Sequence, residues 1–91
     1  MSKKHTDDDP AVLERLGANI NARRVQLGLS QGDLAGSAEI DRTYVSQVEN
    51  GRKSVTISML ARISKALSTT PSALTQGIMS DSAEEAEHQG A

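Results

Sequence analysis

Thr43, Ser46, Gln47 and Asn50 are short, neutral side chains able both to donate and to accept hydrogen bonds. With successive helical residues about 100° apart, the four fall within one sector of about 100°, while Val45 and Val48 share the other side. A helix face left to water usually carries Glu and Lys. A face of neutral donors and acceptors can instead meet another hydrogen-bonding surface group by group. Arg42 stands at the N-terminal end of this stretch, and Arg52 and Lys53 follow it. The planar fork of Arg42 can span two adjacent acceptors; alternatively Arg42 is a solvated arginine or pairs with Asp41.

The elements around this stretch read as short capped helices without strand alternation. Asp9-Pro10 suits N-cap and N1 of a first helix. Val12 (or Leu13), Leu16, Ile20 and Leu27 form its apolar stripe, and Gly28 ends it. Ser30-Gln31-Gly32-Asp33 is a capping box opening a second, very short helix. Asp41 is placed to cap a third over 41–50. Thr56 (or Ser54) caps a fourth, with Ile57, Leu60, Ile63 and Leu67 inside, and Thr70-Pro71 opens a fifth. The expected fold class is all-α: a compact bundle of five short helices over residues 10–79. Helices two and three form one unit, with Leu34 and Ala35 in the first, Ile40 in the turn, and Val45 and Val48 in the second.

Composition bounds what this bundle can be. Its 91 residues are enough for one domain, and with no Phe, no Trp and one Tyr the core must be aliphatic. Absence of cysteine removes disulfides, thiolate metal sites and a thiol nucleophile. The net charge of −2 is unevenly spread. Residues 80–91 hold four acids and no Lys or Arg, and residues 1–9 hold two Lys against three Asp; residues 10–79 hold eight Lys or Arg against five acids. A mildly basic core between two tails, 1–9 and 80–91, expected to be disordered, is the organisation this implies. No apolar run approaches membrane-spanning length and no signal-peptide core follows Lys3-Lys4, so a cytoplasmic location is expected.

The spacing from Gln31 to Asn50 resembles the DNA-binding helix-turn-helix. More closely, "RRVQLGLSQGDLAGSAEIDRTYVSQVENGR" resembles the Cro/phage-repressor (XRE-type) family of small bacterial regulators. The likeness rests on Arg24, Leu27 to Gln31, Leu34-Ala35, the apolar residues 40, 45 and 48, and Glu49-Asn50-Gly51. Within that family, "DRTYVSQVENGRKSVT" is similar to controller proteins of restriction–modification systems. The resemblance implies a homodimer that binds double-stranded DNA at a palindromic operator through a recognition helix at 41–50. Arg42 then matches O6 and N7 of guanine, Thr43 a thymine methyl and Gln47 an adenine edge; Ser46 is open between a base and a phosphate. The resemblance assigns phosphate contacts to Gln31 and Asn50, and Arg52 and Lys53 join them by charge. Tyr44 is either a phosphate contact or a core aromatic with its hydroxyl at the surface. Arg24 and Glu49 correspond to a structural ion pair joining the first and third helices, and a carboxylate facing DNA would in any case be repelled.

One position departs from the family. The turn between helices two and three usually has glycine where this chain has Glu39, and a left-handed non-glycine residue there costs on the order of 1 kcal/mol. Leu74, Ile78 and Met79 are more apolar than a solvent-facing last helix of so small a domain needs. With Val55 from the loop before helix four they are the expected dimer interface, the alternative being that they close the monomer core. Catalysis has little support: His5 and His88 both lie in the tails, and the core acids form no visible catalytic couple. No enzyme activity, cofactor, metal, membrane or small-molecule ligand is expected. The rival reading is an antitoxin-type protein-interaction module that also binds DNA.

Overall fold

A computed structural model of the chain describes residues 9–78. Asp9 opens α1, Pro10–Gln26, by accepting from the Ala11 amide at 3.0 Å, with Pro10 at the position where its missing N–H costs nothing. Gly28, at φ 73°, closes it. The capping box forms in full at the start of α2, Gln31–Ala38: Ser30 Oγ accepts from the Asp33 amide, and the Asp33 carboxylate accepts from the Ser30 amide, both at 2.9 Å. The bond from the Ser30 amide holds the Asp33 carboxyl below its ordinary range. After a short turn come α3, Arg42–Glu49, and α4, Ile57–Ala66, the latter capped by Thr56; α5, Pro71–Leu74, is capped by Thr70. Among the described residues the architecture is all-helical, as the capping pattern predicts.

The five helices share one aliphatic core. Leu16 and Ile20 from α1, Leu34, Ala35 and Ala38 from α2, Val45 and Val48 from α3, and Leu60, Ile63 and Leu67 from α4 and its end are all buried. Ser64, the one polar residue among those described that is buried as a whole, donates its hydroxyl to the Leu60 carbonyl at 2.7 Å, one turn back on its own helix. Four expectations need correction. Leu74 is 3% exposed and completes this core, so it has no surface left to bring to a partner. Ile57, placed inside by its spacing, is 82% exposed: it sits at the first position of α4, ahead of the turn that reaches the core. Leu27 serves as the C-cap of α1 and lies partly out of the protein instead of continuing the stripe. Asp41 occupies the N-cap of α3 without any side-chain capping bond. The tails, with the two histidines and Met79, lie outside the described residues.

Polar side chains of α1 tie the later elements down by capping their C-termini. Asn19 Nδ2 donates to the carbonyls of Leu74 and Gln76, both at 2.8 Å. One turn on, Arg23 donates to the carbonyls of Leu67 and Ser68, each at 3.0 Å, closing the end of α4. Arg62 of α4 does the same for α2, reaching the carbonyls of Ala38 at 3.1 Å and Glu39 at 2.8 Å. These groups are the carbonyls a helix leaves without partners at its last turn. Where Arg23 and Arg62 are the donors, their positive charge also suits the helix dipole.

The turn after α2 is left-handed: Glu39 has φ 61° and ψ 48°. Its carboxylate is largely in water, 3.7 Å from Arg62, an exposed pair of little worth. The Arg62 hydrogen bonds go to backbone oxygens that glycine would keep. Glu39→Gly should therefore stabilise the fold by up to roughly 1 kcal/mol in denaturant unfolding. A loss of stability would show that the carboxylate, and not the backbone, is what Arg62 needs.

Candidate nucleic-acid interface

The third helix is positioned by a single buried carboxylate. The side chain of Glu49, at the last turn of α3, is 3% exposed. Arg24 Nε donates to its Oε2 at 2.7 Å and Arg24 Nη2 to its Oε1 at 3.0 Å, the two-pronged geometry that suits guanidinium and carboxylate. Asn21 Nδ2 and Gln31 Nε2 also donate to Oε1, at 2.9 and 3.1 Å. The third arm of Arg24 reaches the Leu29 carbonyl at 2.7 Å. One group thus joins α1, α2 and α3. Burial by itself pushes the Glu49 carboxyl up, but the hydrogen bonds from Arg24, Asn21 and Gln31, with the Arg24 charge, outweigh it and hold the group below its ordinary range. The same bond to Glu49 raises Arg24 against the effect of its own burial.

Close approach of α1 makes these bonds possible. A side chain at Gly17 would strike the carbonyls of Val48 and Glu49, with the Glu49 oxygen only 2.6 Å from the position of its first carbon. Gly17, Asn21 and Arg24 recur at helical spacing, so one face of α1 offers first a gap and then two donors to the end of α3.

The opposite face of α3 is left open. Arg42 and Thr43 are exposed, Ser46 and Gln47 half-buried, and Asn50 exposed just past the helix end. Arg42 lies over the start of α2: its Cδ would be 4.0 Å from a side-chain carbon at Gly32. The first turns of α2 and α3 therefore stand side by side. Among the described residues Arg42, Arg52 and Lys53 have no ion-pair partner, so the Asp41–Arg42 pair does not form. Tyr44 packs its ring against the core and donates its hydroxyl to the Ser54 carbonyl at 3.0 Å, which ties α3 to the loop holding Arg52 and Lys53. Burial pushes this phenol up, so it stays a donor at neutral pH.

The structure thus gathers Arg42, Thr43, Ser46, Gln47, Asn50, Arg52 and Lys53 around one helix, and turns Arg24 and Glu49 inward. Gln31 differs from its expected place. Its side chain is committed to Glu49, and a phosphate contact would have to come from its remaining amide hydrogen or its backbone N–H. Val55 and Ile78 lie half-buried against the core. Asn21 is a Glu49 partner that the motif alone does not single out, although its spacing from Gly17 and Arg24 is a usable signal.

Two short helices joined by a tight left-handed turn, the second with an unpartnered polar face, are the arrangement of a helix-turn-helix. The family described as helix-turn-helix matches residues 20–74. The control protein C.SmaI of Serratia marcescens is 38% identical over 72 residues, covering 77% of this chain and 86% of that protein. The crystal structure of the restriction–modification controller protein C.AhdI from Aeromonas hydrophila superposes with a TM-score of 0.67 at 34% identity, covering 68% of this chain and 94% of that one. The restriction–modification controller protein C.Esp1396I, solved as a tetramer in complex with its natural 35 base-pair operator, gives a TM-score of 0.67 at 29% identity, with 76% and 91% covered. The chain belongs to the helix-turn-helix family of the Cro and phage-repressor type, whose members are DNA-binding regulators. Within that family it is similar to restriction–modification controller proteins.

The charge state of Glu49 makes the geometry of α3 sensitive to acid. A carboxyl depressed in the folded state stabilises fully above its unfolded value, near 4.5, and that contribution fades as pH falls through the folded value. Glu49→Gln should cost on the order of 3 kcal/mol at neutral pH, the lower end for a buried pair that loses one partner, because Arg24 is left largely buried without its counter-charge. The gap between variant and wild type should narrow below about pH 4.5. Unfolding curves across pH test this; a gap independent of pH would mean that shape, not charge, is what the site requires.

Proposed function

We propose that the chain is a sequence-specific transcriptional regulator that binds a palindromic operator as a homodimer, with α3 in the major groove, in the manner of a restriction–modification controller. The observation that carries this reading is the division of α3 into two electrostatic halves. Its one acid is folded inward and neutralised, while its outer face presents neutral hydrogen-bonding groups between cations that pair with none of the described acids, one at its start and two beyond its end. Such a face suits base edges, and such cations suit the phosphates that flank them. The tetramer of C.Esp1396I on its operator supports a shared mode of assembly on DNA.

In this reading Arg42 enters the groove first and takes guanine, with Thr43 and Gln47 beside it; Ser46 serves a base or a phosphate. Arg52, Lys53 and Asn50 hold the backbone. One short helix and a few cations bind weakly, so a two-fold pair of copies addressing half-sites about one DNA turn apart supplies the affinity. With Leu74 committed to the core, the dimer surface is proposed to draw on the exposed Ile57 and the half-buried Val55 and Ile78.

Two measurements test these roles. Lysine at position 42 keeps the charge and loses the fork. Arg42→Lys should relax preference at one symmetric base pair by about 1–3 kcal/mol and leave the salt dependence nearly unchanged. Arg52→Ala should weaken operator and scrambled duplexes alike and lower the salt slope by about one unit for each phosphate that is no longer neutralised. Equal weakening of both duplexes by Arg42→Lys would make it a phosphate clamp instead. Separately, Ile57→Asp should give folded monomers in sedimentation and weaker operator binding, with helicity kept, since this side chain is 82% exposed and adds nothing to the monomer core. Its melting temperature should no longer depend on protein concentration. An intact dimer would move the interface elsewhere.

A further inference from the structure

The cations beside α3 face a rival for DNA within the chain itself. Residues 80–91 contain Asp81, Glu84, Glu85 and Glu87 and no Lys or Arg. The structure fixes where that segment begins. Gly77, at φ 83°, sits against Arg15: a side-chain carbon there would be 3.3 Å from Arg15 Nη1. Gly51, which starts the loop holding Arg52 and Lys53, sits against the neighbouring residue of α1, 3.2 Å by the same measure from Glu14 Cα. The end of the described chain and the start of the cationic loop are therefore separated by no more than adjacent α1 residues and one arginine side chain, on the order of 15–20 Å. The stretch from Gly77 to Glu84 spans up to roughly 24 Å when extended.

The cations are available to it. Arg42, Arg52 and Lys53 are exposed and have no ion-pair partner among the described residues, and Glu49 is turned away. The exposed acids at the border of this surface are Asp33, Asp41 and Glu14, and none of them pairs with the three cations.

We propose that the acidic segment 80–91 docks in cis on the Arg52–Lys53 loop and the adjoining edge of α3, occupying the surface assigned above to DNA phosphate. The inference rests on that assignment. A duplex must displace the segment before it is held, and because the contacts are exposed ion pairs the barrier is modest and salt-dependent. Docking therefore lowers the apparent affinity for every duplex by one common factor, the fraction of copies whose segment is undocked. The segment thus sets, through charge, how much intrinsic affinity any duplex needs in order to be held.

The test compares the full chain with a full-length variant in which the segment is neutralised: Asp81→Asn, Glu84→Gln, Glu85→Gln and Glu87→Gln. Without DNA, backbone amide resonances of Arg52, Lys53, Ser54 and the start of α3 should differ between the two at low salt. They should coincide at about 1 M salt, where charges are screened within about 3 Å. The differences should be unchanged by dilution. With DNA at low salt, the neutralised variant should bind scrambled and operator duplexes alike roughly fivefold more tightly. Identical spectra at low salt would overturn the docking, as would differences confined to Arg62 and Lys65. Differences that vanish on dilution would mean docking between copies and would overturn the cis arrangement. If the spectra change as expected but neither protein binds any duplex, the docking stands and the assignment of the surface to DNA fails.

Discussion

The Glu49 carboxylate is the point on which the geometry of this protein turns. A lone acid in an aliphatic interior would be neutral, and the last turn of α3 would be free to rotate. Here the acid stays charged because Arg24, Asn21 and Gln31 each donate to it. Because those donors come from two other helices, satisfying the charge also sets the angle and the register of α3. The hydrophobic contacts of Val45 and Val48 could be met by several nearby orientations of so short a helix; the hydrogen bonds to Glu49 are met by far fewer. Apolar burial holds the helix in place, and the buried ion pair selects which way it points.

The same logic extends to the helix ends. With no strand ladder among the described residues to absorb terminal carbonyls, a domain of this size must find donors for them, and arginine and asparagine side chains supply them. Asn19 and Arg23 close the end of α5 and of α4 onto α1, and Arg62 closes α2 onto α4. Several residues that look like spare surface charge in the sequence are therefore fasteners between elements. Arg42, Arg52 and Lys53 are left unpaired among the described residues, so uncompensated positive charge remains where α3 meets solvent.

How far the sequence can be read follows from which interactions are local. Caps act within three or four residues, so the starts of α1, α2, α4 and α5 are legible from Asp9, Ser30, Thr56 and Thr70. The left-handed turn at Glu39 is legible only through the family resemblance, and the Arg24–Glu49 pair likewise, since nothing in spacing alone joins residues 25 positions apart. Apolar periodicity fails at helix ends. Leu27 and Ile57 keep the spacing of their stripes, but a stripe does not reveal where the neighbouring helix stops, and both lie beyond that limit. Leu74 fails in the opposite sense, because the depth of the core under a four-residue helix cannot be judged from that helix. The close approach at Gly17 escapes notice for a related reason: a glycine in a helix reads as weakness until the backbone pressed against it is known.

The separation of α3 into an anchored side and an open side has an evolutionary reading. Thr43, Ser46 and Gln47 make no side-chain hydrogen bond to the rest of the described protein, whereas Val45, Val48 and Glu49 carry the packing and the charge that fix the helix. Mutations on the open side should therefore leave folding nearly untouched, and a drifting lineage can sample many such combinations while staying folded. Acquiring a new recognition preference would then require few changes on a frame that stays constant, so relatives of this chain can diverge in what they bind while remaining superposable.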